Sequence, residues 1–107
     1  MKLYEVIFWG SQGDGNAEDT IYLVRAPNFT FAVDEVRRNG RPEDHGHRSR
    51  DAHKVYEIGD DSSPYAEAHP GILRGPYFEF AYNRGWKSWE RKFEGADYTM
   101  EWEEDQK

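Results

Sequence analysis

"PNFTFAVDEVRRNG", residues 27–40, decides the fold. Asn28 or Thr30 is suited to cap a helix start. Phe29, Val33 and Val36 follow at spacings of i, i+4 and i+7, with Ala32 beside them. That spacing lays one apolar stripe along a helix. Arg37 and Arg38 fall in the last turn, where the helix dipole favours cations. Asn39-Gly40 is a C-terminal stop. A lone helix with one apolar stripe needs a sheet to cover, so the flanking sequence is expected to supply strands.

It does. "KLYEVIFWG" (2–10) alternates Tyr4, Val6 and Phe8 with Leu3, Glu5, Ile7 and Trp9. Both faces are largely apolar, which places this strand centrally. "TIYLVRA" (20–26) is a second strand, pairing antiparallel with the first across the polar loop 11–19. "RPEDHGHRSRDAH" (41–53) has no hydrophobic pattern and reads as a solvated loop. "KVYEIG" (54–59) is a third strand. In 60–71, Ser63-Pro64 suits the start of one helical turn, ended by Pro70-Gly71.

"RGPYFEFAYNRGWKSWERKF" (74–93) holds seven rings. Its first part reads as a hairpin around Asn83-Arg84-Gly85, with glycine in the left-handed position. A three-residue loop sets Tyr82 against Trp86; a two-residue loop sets Phe80 against Trp89. Trp86, Trp89 and Phe93 also fit a helical spacing. "DYTMEWEE" (97–104) alternates Tyr98, Met100 and Trp102 with polar residues and reads as a last, half-exposed strand. Residues 103–107 are expected to fray. The sum is an α+β fold. A mostly antiparallel sheet of about five strands (β-β-α-β-β-β) carries one main helix on one face, in a single domain spanning 1–107.

Composition bounds the chemistry. The chain has 107 residues and no cysteine, so disulfides and thiolate sites are absent. That absence, with no clean signal-peptide core and no run long enough to span a membrane, points to a soluble cytoplasmic protein. Leu, Ile and Val total 12 against 17 aromatic residues. Each buried ring removes ~150–250 Å² from water, so a core built mainly from rings is expected. The net charge is −7 and unevenly spread. Residues 36–54 and 74–93 each carry +3, while 94–107 carry −5. Overall acidity argues against nucleic acid, where phosphate contacts dominate affinity. It suits a protein partner with a basic surface. Nothing specifies an oligomeric state.

Several motifs compete for a role. Asp44, His45, His47 and His53, with Asp51, are imidazole and carboxylate groups of metal-ligand type. Their spacing matches no zinc pattern, so a solvated loop is the expected outcome. "GSQGDG" (10–15) follows a strand as phosphate loops do, but no lysine follows. "DGNAED" (14–19) begins like a calcium loop and departs from it at Asp19 and Arg25. No cofactor is implied. His53 or His69 with Glu79 or Asp61, and Arg84 or Arg91 for an anion, are general-base and anion-binding types, but nothing local links them. The ring cluster is the strongest candidate. Tyr77, Tyr82, Trp86 and Trp89, with Arg84, Arg91 and Glu79, are the residue types that dominate interface hot spots.

In size, acidity, lack of cysteine and mixed α+β pattern, the chain is similar to the small bacterial immunity proteins that neutralise partner toxins. The likeness implies a non-enzymatic binding or inhibitor module and carries no site residue across. The expected contact surface is hairpin 77–89. The alternatives are a small hydrolase or nucleic-acid-processing enzyme built on the histidine loop, and single-stranded nucleic-acid binding by the two basic blocks.

Overall fold

The computed structural model describes residues 1–10, 17–47, 50–81 and 84–105. Six strands form one antiparallel sheet: β1 (Lys2–Phe8), β2 (Asp19–Ala26), β3 (Lys54–Asp60), β4 (Gly71–Glu79), β5 (Ser88–Glu94) and β6 (Asp97–Asp105). Their spatial order is β4-β2-β1-β3-β5-β6. β1 is interior, as its two apolar faces require. β6 continues to Asp105, into the stretch expected to fray.

Helix α1 (Phe29–Glu35) starts where Asn28, in extended conformation, accepts the Phe31 N–H at 2.8 Å. It continues as a wider π-turn over Val36–Gly40. Ala32 and Val36 are fully buried on the sheet. Phe29 stacks on Trp89 with centroids 4.4 Å apart and meets Trp102 edge-on. Gly40 ends the segment against Tyr22, whose hydroxyl donates to the Gly40 carbonyl at 2.9 Å. A Cβ at Gly40 would stand 2.9 Å from Val36 Cγ1, so glycine is required by close approach. Helix α2 (Pro64–Ala68) is the single turn expected, with Ser63 Oγ accepting the Ala66 N–H.

Three expectations need correction. First, β4 and β5 do not form a hairpin: β4 pairs with β2 at one end of the sheet and β5 with β3 towards the other. Ala81 and Trp86 lie on the face opposite α1 instead. Ala81 is fully buried there; its N–H donates to Asp19 and its carbonyl accepts from Tyr56 at 3.3 Å. The local hairpin is excluded because these groups already hold the Ala81 backbone. The tight hairpin is β5–β6, where Glu94 pairs with Asp97 around Gly95 at φ 63°.

Second, loop 41–53 does not lie wholly in solvent. Glu43–Gly46 are exposed, but Pro42 and Ala52 are buried and His47 stacks on Phe8 at 4.8 Å. Third, the core is not built mainly from rings. Val6, Ile7, Ile21, Val24, Val36 and Val55 are fully buried beside Tyr4, Phe8, Tyr22 and Tyr56. Branched side chains fill the thin interior of the central strands, where pleated packing suits them. Rings such as Phe29, Trp89 and Trp102 occupy the flank between α1 and β5–β6.

Candidate functional site

The seven residues expected at one contact surface are divided between two faces. Tyr77, Glu79, Arg84 and Trp86 gather on the face opposite α1. Trp89 and Arg91 lie on the helix side; Tyr82 lies outside the described residues. The first group ties Arg84 and Trp86 to the sheet. Glu5, only 5 % exposed, accepts from Tyr77 at 3.2 Å and Arg84 at 3.3 Å. Arg84 also pairs with Glu79, and Trp86 meets Tyr56 edge-on at 6.2 Å. Burial raises the Glu5 carboxyl, against the pull of Arg84 and Tyr77. Burial, followed by the charge of Glu5, raises the Tyr77 phenol. Asp19, 3 % exposed, adds a second staple through the N–H groups of Gly10 (2.9 Å) and Ala81 (2.9 Å). Sequence reading missed Asp19 as an anchor, although a carboxylate opening an apolar strand was the available signal.

On the helix side, the folded-back loop brings His45, His47 and His53 to one cleft of about 790 Å³. Trp9, Thr20, Asp51, Arg91 and Tyr98 share its lining. His53 Nδ1 accepts the Trp9 backbone N–H at 2.9 Å. Its ring lies 4.6 Å from Tyr98 and edge-on to Phe8. Burial, then the charges of Arg91 and His47, lowers its pKa to about 4. The neutral ring therefore carries its proton on Nε2 and offers a donor, whereas a general base needs a free lone pair. His47 Nε2 lies 3.0 Å from the Thr20 hydroxyl, and burial lowers its pKa as well. Asp44 turns away to Arg41 at 3.0 Å. Among the described residues no three His, Asp or Glu side chains stand together as a metal-ligand set. His69, the other candidate base, stacks on Tyr65 at the far end of the sheet, away from the cleft. Arg91 is 7 % exposed, 3.6 Å from Asp51 and over the Tyr98 ring.

The third candidate surface is the β5–β6 hairpin. Residues 88–105 carry seven carboxylates and two cations, a net of −5. Phe93 is 58 % exposed and Met100 65 %. Glu94, Asp97 and Glu103 have no cation within 4.0 Å among the described residues. A concavity of about 720 Å³ lies along the hairpin, where Glu90, Glu94, Glu101 and Glu103 outnumber Arg91 and Lys92 around Phe93 and Tyr98. The −5 of residues 94–107 is visible in the sequence. The Glu94–Asp97 turn that folds β5 beside it was not recognised.

Among the described residues, the two basic blocks form no free cationic stripe. Among the described residues, each Lys or Arg of 36–54 and 74–93 except Arg74 has a carboxylate within 4.0 Å. Arg74 sits over the Tyr77 ring at 4.1 Å. The Gly10–Gly15 and Asp14–Asp19 loop motifs fall mostly outside the described residues. No helix among the described residues is long and apolar enough to cross a membrane. No protein-family model, curated protein or solved structure matches the chain.

Proposed function

We propose that the protein is a non-enzymatic protein-binding module, of inhibitor or immunity-like type, that engages a basic partner through the β5–β6 hairpin. One observation carries the reading: exposed Phe93 and Met100 sit on an open sheet end that holds −5 of the chain's −7 charge. Exposed apolar area within a charged rim is a common form of protein contact, and complementary charge speeds encounter. The ring cluster of 77–89 supports this less well, because Tyr77, Arg84 and Trp86 are engaged with the protein's own sheet.

A hydrolase using the histidine loop draws support from the shared cleft of His47, His53, Asp51 and Arg91. It is the weaker reading, because the His53 lone pair a base needs is already accepting from Trp9.

The test is affinity capture from the native cell, followed by titration of the purified partner. Glu101→Lys with Glu103→Lys should weaken Kd by about 100-fold or more, since like charge facing a basic surface costs several kcal/mol. Asp60→Lys, on an exposed site at the other end of β3, should leave Kd within about threefold (well under 1 kcal/mol). Equal binding by all three proteins would overturn the assignment.

A further inference from the structure

The two ends of the sheet are not equivalent. β4 is interrupted: its register against β2 shifts on both sides of Leu23, and Pro76 brings no backbone N–H. Such features blunt an edge strand. β6 runs nine residues without glycine or proline and, among the described residues, pairs only with β5. Its outer backbone groups form a ready template for another strand. Trp102–Asp105 pair continuously with Ser88–Arg91, so the template is regular there.

The side chains of this edge alternate by face. Tyr98, Met100 and Trp102 point to the helix side, where Met100 and Trp102 share a small hollow with Thr30 and Val33 of α1. Glu101, Glu103 and Asp105 point to the other side: Glu101 reaches Lys92, Asp105 reaches Lys54, and Glu103 stands opposite Glu90. A second copy of β6 would bring carboxylates against carboxylates, and like charges directly opposite destabilise a sheet.

From this geometry we infer that β6 accepts, by strand addition, an extended segment of a partner in which basic and apolar residues alternate. Its apolar side chains extend the Met100–Trp102 face and its lysines or arginines meet Glu101, Glu103 and Asp105. Main-chain pairing supplies affinity, and the two-residue period supplies specificity. The inference rests on the proposed binding face and adds how that face is used and by what.

The probe is the peptide Thr-Lys-Val-Lys-Val-Lys-Thr, titrated into the full chain and followed by amide shifts and amide exchange. A second peptide has the same sequence with alternate backbone amides N-methylated, which keeps charge and side chains but removes main-chain donors. The unmodified peptide should bind and slow exchange at the 97–105 amides, and N-methylation should weaken it by about tenfold or more, as expected when backbone pairing supplies affinity. Equal binding of both peptides would overturn strand addition and leave the acidic binding face standing. No binding of either at low salt would overturn both.

Discussion

His53 shows how one side chain sets a pH response. Its pKa falls from 6.5 to about 4 on folding, so the unfolded chain binds more protons throughout that interval. Stability is therefore complete above about pH 6.5 and lost as pH falls towards 4, by on the order of 2–3 kcal/mol. The groups around it are Phe8 of β1 and Trp9 just after it, Arg91 of β5, Tyr98 of β6, and His47 and Asp51 of the loop. His47 acts with the same sign, since burial lowers its pKa too. Glu5 acts oppositely: its raised carboxyl takes up a proton more readily when folded. His53→Gln keeps an acceptor for the Trp9 N–H without titrating. Urea midpoints measured from pH 7 to 4 should fall less steeply in this variant than in the parent; parallel curves would contradict the assignment. That Glu5 shares a face with Ile7 and Trp9 was legible from alternation alone. That Arg84, 79 residues away, balances its charge was not.

Elements governed by local periodicity were legible; elements governed by distant anchors were not. Helix α1, strands β1, β2 and β3, and the turn at Ser63-Pro64 each stand close to their expected places. They follow from caps, stripes and alternation within a few residues. Asn28→Ala removes the acceptor for the Phe31 N–H and should cost about 1 kcal/mol. A chain of this size should then melt about 4–8 °C lower; an unchanged melting temperature would show that the cap carries no load. The Asn83-Arg84-Gly85 stretch has good hairpin chemistry, yet β4 and β5 lie apart. Asp19, Tyr56 and Glu5 bind Ala81 and Arg84 across the sheet, and such long-range bonds leave no mark in a local pattern. The histidine loop folds back for the same kind of reason, through contacts of His47 and His53 with β1 and β2.

At the scale of the whole molecule, both faces of the sheet receive cover from the chain itself. Helix α1, His47 and His53 lie on one face, and Ala81, Arg84 and Trp86 lie on the other. Apolar side chains stay exposed at both ends, with Leu73 and Phe78 on β4 and Phe93 and Met100 on β5–β6, but only at the β5–β6 end do they coincide with the excess of negative charge. The excess of charge was legible in residues 94–107. Its assembly into a surface with Phe93 and Met100 depends on a strand pairing the sequence did not announce. The most direct test is hydrogen–deuterium exchange of the chain alone and bound to the partner captured from its native cell. The account predicts that binding protects 97–105 and leaves 77–87 unchanged. Protection at 77–87 with unaltered exchange at 97–105 would contradict it.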